Sequence, residues 1–298
     1  MHSASNTISW SDSVAQKLRD YGLLVKFKLN ITVVFSAVVA YLVALRGDLD
    51  WSLLVVLALG GFFVTAAANA LNEVLERDYD KLMKRTADRP LATGRMSVSE
   101  AVLAAGLMSL VGISLLAWFN PMTAFLGTFS LISYSFIYTP MKRVSPVAVL
   151  IGAVPGALPT AIGCVAAEGQ ISALAIALFG IQFFWQFPHF WAIAWLGHED
   201  YTKAGFQLLP SSGGRLDSSV GLQAFIYSLP LFPLVVMPYA FERTGVVSAV
   251  VVVFVSLVFS TYAWIFYRKS DRMSARNLMF ASFFYLPIVL LALFFDKI

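Results

Sequence analysis

Nine long apolar stretches constrain this chain more than any other feature of its sequence. Each is long enough, or nearly so, to cross the roughly 30 Å hydrocarbon core of a bilayer as a helix. Hydrophobic residues make up 59% of the 298 residues and charged residues 13%, whereas soluble domains are usually about one-quarter charged. The stretches cover residues 29–45, 51–71, 101–119, 121–138, 147–166, 171–195, 220–241, 246–267 and 278–295. The sequence therefore predicts an all-α membrane protein with nine transmembrane helices.

The lysines and arginines between these stretches indicate how the chain is oriented. Short cytoplasmic loops carry an excess of both residues, and 18 of the 21 fall on one side if the N-terminus is cytoplasmic. We therefore expect a cytoplasmic N-terminus, an external C-terminus and, as the simplest location, the cytoplasmic (inner) membrane of a bacterium. Because topology accounts for the basic charge, nucleic acid is not expected as a partner. We divide the chain into a polar cytoplasmic segment, 1–28, and a single membrane domain, 29–298.

A short acidic segment, NEVLERDYD at 72–80, follows the second apolar stretch directly. Asn72, Glu76 and Asp80 recur every four residues, so on a helix they form one polar stripe. Two carboxylates and an amide at this spacing suit Mg²⁺, which prefers one or two carboxylates plus substrate phosphates. The pattern indicates metal-assisted diphosphate chemistry at a membrane surface.

Basic side chains follow the acids in the same loop. Lys84, Arg85 and Arg89 are suited to a polyanion, because the guanidinium fork binds phosphate oxygens in pairs. An amphipathic loop held by ordinary i,i+4 ion pairs would have the same composition, and composition alone does not separate the two interpretations. The two longest loops, 72–100 and 196–219, both face the cytoplasm in the predicted topology.

The second of these loops carries further acids. Glu199 and Asp200 are candidates for a second set of Mg²⁺ ligands, and Lys203 for a phosphate contact. A solvated loop would also contain such residues, and either carboxylate alone favours that simpler interpretation.

His189 lies about two turns before the end of the sixth apolar stretch, beside Trp185 and Gln186. An ionisable side chain within a membrane span is a functional candidate, because burying it is costly. It could bind a haem iron, orient an acceptor, act as a base, or simply donate to a backbone carbonyl.

The string NEVLERDYDKLMKRTADRPLATG at 72–94 resembles the first signature, NxxxDxxxD, of the UbiA superfamily of intramembrane prenyltransferases. Its second half resembles one branch in particular, the protohaem IX farnesyltransferases or haem O synthases. WQFPHF at 185–190, followed by EDY at 199–201, resembles the second signature of that branch. The resemblance covers roughly residues 26–210.

The chain departs from the superfamily pattern at three places. Glu76 replaces the usual middle aspartate, which preserves the charge but lengthens the side chain. The second signature is usually DxxxD, but Leu196 stands four positions before Asp200. A Lys-Pro-Arg-like string is matched at Lys26 alone, because the next two residues are Phe27 and Lys28.

The resemblance implies nine helices around a central cavity, with Mg²⁺ as cofactor and farnesyl diphosphate and haem b as substrates. The farnesyl group would pass to a vinyl group of haem b, and water would add, giving haem O and diphosphate. Positive charge would neutralise the departing diphosphate in a water-poor cavity. Membrane lipid surrounds such an enzyme, and haem A synthase or a terminal oxidase would receive the product.

The resemblance also assigns roles to particular positions. The catalytic residues would be Asn72, Glu76, Asp80 and Asp200, and the metal ligands these four with Glu199. The diphosphate would be held by Lys26, Lys84, Arg85, Arg89, Lys142, Arg143 and Lys203. The acceptor or the allylic cation would meet His189, Gln186, Trp185, Tyr134 and Tyr138, with cation–π attraction from the tyrosines.

Three other functions are compatible with parts of the sequence. The acceptor could be a quinone precursor or another aromatic ring, although such a ring needs no iron ligand. A transporter would place its charges near the membrane midplane, whereas these acids lie mostly at one surface. A non-catalytic assembly factor would tolerate neutral substitutions in the first loop.

Overall fold

The computed structural model describes residues 10–212, 215–217 and 219–298, and these are almost entirely helical. The helices are α1 Trp10–Leu24, α2 Phe27–Ala44, α3 Trp51–Asp80, α4 Val98–Ala117, α5 Pro121–Ile132, a π-helical segment Ser133–Tyr138, α6 Thr139–Met141, α7 Ala148–Glu168, α8 Ala173–Leu196, α9 His198–Lys203, α10 Ser219–Ser228, α11 Leu231–Ala240, α12 Val246–Lys269 and α13 Arg272–Phe295. Strand β1, Ser211–Ser212, pairs antiparallel with strand β2, Arg215–Leu216.

Eight helical segments in the described part of the chain are long and apolar enough to cross a membrane. One of them combines α10 and α11 across a break at Pro230. The predicted span 121–138 is also helical, but it is divided between α5 and the π-helical segment, and α6 continues it to Met141. The all-α membrane fold is confirmed, while the number of nine crossings and the side of each terminus stay predictions.

Helix α3 is nine residues longer than its apolar stretch, because it continues through the acidic segment to Asp80. Hydropathy falls after Leu71, but leucine, glutamate and arginine in this segment are good helix formers. Residues 72–80 therefore form the last turns of a helix, and the connecting loop begins after them.

The polar N-terminal segment contains an ordered helix, α1, which packs on that loop. Arg95 donates to Asp20 at 3.0 Å, and Lys17 pairs with Glu100 at 2.9 Å. Asp20 is buried, so these pairs hold α1 against the loop and against the first turn of α4.

Helix α7 lies at the centre of the bundle, since 78% of its apolar window is buried. It continues through Pro155 and Pro159, and Gly163 brings it so close to α2 that a methyl group there would overlap the carbonyl of Ala37. Close approach at small residues is typical of packed membrane helices.

The two ends of the helix bundle differ in their polar contacts. We call the end where α3 terminates and α4 begins the polar end, because Lys26, Asn72 and Lys142 converge there. At the opposite end Asn120 donates to the carbonyl of Val165 at 3.0 Å.

Candidate active site

A pocket of about 260 Å³ lies at the polar end of the bundle. Its walls come from α2, α3, α8, the π-helical segment and the loops that follow α3 and α9. Its polar lining residues are Lys26, Asn72, Glu76, Asp80, Arg85, Arg89, Tyr134, Tyr138, Lys142, His189 and Tyr201. One side of this pocket is therefore acidic and the surrounding sides are largely basic.

The predicted polar stripe is present on α3. Asn72, Glu76 and Asp80 are all on one helical face, line the pocket, and are at most 5% exposed. Buried carboxylates require partners or metal ions, and each of these side chains has a cationic neighbour.

Asp80 pairs with Arg89 at the entrance to the loop. Arg89 Nη1 donates to Asp80 Oδ2 at 2.7 Å, and the Thr86 hydroxyl donates to the Asp80 carbonyl at 2.9 Å. The second carboxylate oxygen, Oδ1, is buried and has no hydrogen-bond partner among the described residues. An unpaired buried oxygen of this kind is a suitable ligand for a divalent cation.

Glu76 pairs with Lys142, which follows α6. Their Nζ and Oε1 atoms lie 2.5 Å apart, and both side chains are largely buried. The Lys142 ammonium also lies 4.9 Å from the centre of the Tyr138 ring. Lys142 could therefore move from the Glu76 carboxylate to a bound anion while it remains in the pocket.

Asn72 is held by two hydrogen bonds. Its Oδ1 accepts from Lys26 Nζ at 2.6 Å, and its Nδ2 donates to the Thr139 hydroxyl at 3.1 Å. The same hydroxyl donates to the carbonyl of Tyr134 at 2.9 Å, within the π-helical segment. The amide oxygen has two lone pairs, so a metal ion can share it with Lys26.

Lys26 occupies a strained position between α1 and α2. Its φ of 49° lies in the left-handed region, which non-glycine residues adopt uncommonly and often at functional sites. Burial lowers the pKa of Lys26 to about 7, and the positive charges of Arg89 and Lys142 contribute. An anion in the pocket would oppose this shift by favouring the ammonium form.

The π-helical segment brings Tyr134 and Tyr138 together in the pocket wall, with ring centres 5.3 Å apart. Pro140 lacks a backbone N–H and therefore cannot complete the α-helical ladder of the preceding turn. The π-helical turn that precedes Pro140 is of a rare kind that often occurs at functional sites.

The seven predicted phosphate ligands divide into two groups. Lys26, Arg85, Arg89 and Lys142 line the pocket, whereas Lys84, Arg143 and Lys203 are exposed and lie outside its lining. The Arg143 guanidinium instead donates to the hydroxyl of Tyr79 and covers its ring at 4.4 Å.

The acids of the second loop also lie outside the pocket lining. Glu199 is exposed, and half-buried Asp200 borders a separate neighbouring pocket beside Met83 and Arg85. Their metal role stays a prediction. The second loop contributes Tyr201, Phe206 and Leu208 to the main pocket instead.

Backbone and side-chain bonds fix the second loop over the site. Gln207 N donates to the carbonyl of Lys142 at 2.7 Å, and Arg85 donates to the Tyr201 hydroxyl at 3.4 Å. This loop thus forms an apolar cover on the side opposite the acids.

His189 lines the pocket from α8. Its Nδ1 lies 2.7 Å from the hydroxyl of Ser282 on α13, and that hydroxyl donates its single proton to the carbonyl of Met279. With that proton on the Met279 carbonyl, the neutral imidazole donates from Nδ1, and the lone pair of Nε2 is then available. Trp185 stacks on the ring at 5.0 Å and donates to the Ser282 carbonyl at 2.9 Å.

Gln186 and Trp185 themselves lie outside the pocket lining. The Gln186 amide donates to the carbonyls of Ala153 and Gln182, at 2.9 and 3.1 Å, and so joins α7 to α8. Trp185 supports His189 through stacking, as described above. Their contacts are those of supporting residues.

Sequence reasoning missed two residues that support the site. Glu73 is fully buried and accepts a hydrogen bond from the backbone of Leu91 at 3.4 Å, so it holds the first loop against α3. Thr139 orients the Asn72 amide. Glu73 lies in the quoted acidic segment but off the four-residue repeat, and the string Tyr138-Thr139-Pro140, which also resembles the family, gives Thr139 no role of its own.

The polar stripe of α3 supplies oxygen ligands of the kind that suit Mg²⁺ bound together with substrate phosphates. Among the described residues no group of three or more His, Cys, Asp or Glu side chains could hold a metal ion. Two carboxylates and one amide oxygen form an incomplete ligand set, which substrate phosphates would complete.

Comparison with known proteins gives consistent results. Residues 33–286 match the UbiA prenyltransferase family. Protoheme IX farnesyltransferase of Cytophaga hutchinsonii is 44% identical over 286 residues, which cover 96% of this chain and all of that protein. The protein of the same name from Flavobacterium johnsoniae is 39% identical over 100% of this chain and 99% of its own length.

Solved structures share the same architecture. A structure of digeranylgeranylglyceryl phosphate synthase matches with a TM-score of 0.80 at 18% identity, covering 94% of this chain and 98% of the other. A UbiA homologue from Archaeoglobus fulgidus, bound to GPP and Mg²⁺, matches with a TM-score of 0.66 at 16% identity, covering 92% and 99%. These matches show a common fold, and the family match and the relatives show that the chain belongs to the UbiA prenyltransferase family.

Proposed function

We propose that this chain transfers a farnesyl group from farnesyl diphosphate to a vinyl group of haem b, with addition of water, and releases haem O and diphosphate. The observation that carries the proposal is a pocket in which Glu76 and Asp80 face four cations, in a chain 44% identical to a protoheme IX farnesyltransferase over its full length. The pocket supports the donor, and the relatives' names support the acceptor.

The acidic stripe and its cations would bind the diphosphate together. Mg²⁺, held by Asp80, Glu76 and Asn72, would supply Lewis-acid stabilisation of the leaving group when bound. Arg89 and Lys142 now neutralise the two carboxylates. In the complex these cations would turn to the phosphate oxygens, so positive charge is already in place when the diphosphate leaves.

The transfer forms a carbon–carbon and a carbon–oxygen bond, and it breaks a carbon–oxygen bond of the donor, the π bond of the vinyl group and one O–H bond of water. The bond between C1 of the farnesyl group and oxygen breaks, and its electron pair leaves with the diphosphate. The vinyl group supplies the electrons of the new carbon–carbon bond, and water then adds to the resulting cation and loses a proton. The faces of Tyr134 and Tyr138 would stabilise the positive charge.

His189 is placed to orient the acceptor. Ser282 fixes the proton of His189 on Nδ1, so Nε2 can bind the haem iron or accept a proton. A hydrogen bond that fixes the tautomer is the usual support for a metal-binding histidine. Purified protein with added haem should show a shifted Soret band that is lost in His189→Ala.

An apolar cavity next to the pocket would receive the farnesyl chain. The two share Leu29 and Tyr134 in their linings, and the cavity continues between α2, α3, α5 and α7. A diphosphate at the acids would therefore have its hydrocarbon chain directed into the bundle, away from water.

We place the protein in a bacterial cytoplasmic membrane with the pocket on the cytoplasmic side, where the positive-inside rule puts the basic loops. Haem O would remain in the membrane for haem A synthase or a terminal oxidase. Proteolysis of sealed vesicles would test the side on which the loops lie.

The decisive experiment incubates membranes containing the protein with haem b, farnesyl diphosphate and Mg²⁺, followed by mass analysis of the haem. We expect a haem that has gained one farnesyl group and one hydroxyl group, and no such product with Asp80→Asn. Transfer to an added quinone precursor but not to haem would contradict the acceptor. Release of no diphosphate with any acceptor would contradict the proposed reaction.

A further inference from the structure

Helix α4 contributes a single residue, Leu116, to the lining of the apolar cavity in the described structure. The other walls come from residues of α2, α3, α5, the π-helical segment and α7. Leu116 is 1% exposed and belongs to a buried cluster with Leu57, Val64 and Ile162. The side chain therefore has little space to move except toward the cavity.

Two glycines hold Leu116 in this position. A methyl group added at Gly60 of α3 would lie 3.0 Å from Leu116 Cδ2, and one added at Gly127 of α5 would overlap Leu116 Cδ1. Leu116 thus fills the space that two neighbouring helices leave by lacking side chains. Its position depends on both glycines, since either methyl group would push it.

The distance from the polar stripe of α3 to Leu116 corresponds to a particular length of isoprenoid chain. Gly60 lies twelve residues from Asn72 on α3, which is about 18 Å along the helix axis. An extended farnesyl chain has as many main-chain bonds as roughly four extended residues and spans about 14 Å. One more isoprene unit extends this to about 19 Å, which brings its end against Leu116.

We propose that Leu116, held between Gly60 and Gly127, sets the length of the isoprenoid chain that the enzyme accepts. This inference rests on the proposed use of a prenyl diphosphate, but not on haem as the acceptor. Leu116 acts by excluding the fourth isoprene unit, so it is a specificity-determining residue far from the reacting atoms.

Two substitutions should change the length preference in opposite directions. Leu116→Ala removes the wall and should raise the ratio of geranylgeranyl to farnesyl use by about tenfold or more, because each added group in an apolar pocket is discriminated at this level. Gly127→Ala should push Leu116 into the cavity and raise the ratio of geranyl to farnesyl use. The probes are equimolar geranyl, farnesyl and geranylgeranyl diphosphates, with the products measured by mass.

Binding of the three corresponding thiolodiphosphates to purified protein in detergent gives a second measurement that needs no acceptor. Leu110→Ala is the matched control, because Leu110 is 66% exposed on the same helix and lies outside the cavity lining. It should leave both ratios unchanged. If Leu116→Ala does not fold, Leu116→Val gives a smaller truncation with the same expected direction.

The outcomes separate the two proposals. If the wild-type protein binds none of the thiolodiphosphates, the proposed function itself fails. If it binds them but folded variants at Leu116 and Gly127 keep the wild-type ratios, the length-determining role of Leu116 is wrong. Opposite shifts in the two variants would establish it.

Discussion

The two acidic segments at the polar end of the bundle, one at the end of α3 and one in α9, hold their side chains in opposite ways. Asp80 and Glu76, at the end of α3, are buried and lie within 2.5 to 2.7 Å of a cation. Glu199 is exposed in α9, and Asp200 is half-buried outside the main pocket. Because burial greatly strengthens electrostatic interactions, we expect the end of α3 to carry the chemistry and the second loop mainly to close the pocket with Tyr201, Phe206 and Leu208.

The strongest test of this difference is Asp80→Asn. We expect diphosphate release to fall by at least about 10² to 10³, the usual loss when one electrostatic contact to a developing charge is removed. Glu76→Gln should behave similarly. The measurement is Mg²⁺-dependent diphosphate release by purified protein.

Asp78→Asn is the matched control for Asp80→Asn. Asp78 lies on the same helical turn, but its side chain is 64% exposed and pairs with Lys81 at the surface. Surface pairs of this kind contribute little, so its activity should stay near that of the wild type. Equal losses of diphosphate release in both variants would mean that the acidic end of α3 acts through its overall negative charge and not through Asp80 in particular.

The next effect concerns stability. Arg89 is the partner of Asp80, and their side chains are 14% and 0% exposed. Arg89→Ala leaves a buried carboxylate without its cation, which should lower the free energy of unfolding by about 3–5 kcal/mol. Thermal unfolding in detergent, without Mg²⁺, measures the change.

A double variant sharpens this second prediction. Asp80→Asn combined with Arg89→Ala should be more stable than Arg89→Ala alone, because the unpaired charge is gone. Additive losses would show that the two residues stabilise the fold independently.

A smaller effect is expected at the support of His189. Ser282→Ala removes the hydroxyl that fixes the imidazole tautomer, and loss of such support typically costs about tenfold or more in metal affinity or activity. The haem Soret band and haem affinity would show the change. Thr261→Ala is a control, since that exposed hydroxyl bonds only within its own helix in the described structure.

The sequence predicted the features that depend on periodicity and hydropathy. The apolar stretches became helices, and the four-residue repeat of Asn72, Glu76 and Asp80 became one buried face. Helical spacing alone specifies such a face. The end of α3 was misjudged because hydropathy reports the extent of the apolar core, whereas a helix also continues through polar residues of high helix propensity.

What the sequence did not provide depends on contacts between distant helices. Lys26 meets Asn72 across 46 positions, and His189 meets Ser282 across 93. Neither pairing leaves a local pattern. Glu199 and Lys84 show the converse, because each has suitable chemistry and lies within a signature string, yet each is exposed and outside the pocket lining.

The smallest effect is expected at Glu199. This prediction tests whether the acids of the second loop contribute to the reaction. Because Glu199 is exposed and outside the pocket lining, Glu199→Gln should reduce diphosphate release by less than about tenfold, equivalent to ~1.4 kcal/mol. Asp200→Asn should have a somewhat larger effect, since Asp200 is half-buried beside Arg85. Diphosphate release over a range of Mg²⁺ concentrations would measure both. A loss at Glu199 as large as that at Asp80, with a raised Mg²⁺ requirement, would show that the second loop moves into the pocket and supplies metal ligands there, so that both loops carry the chemistry.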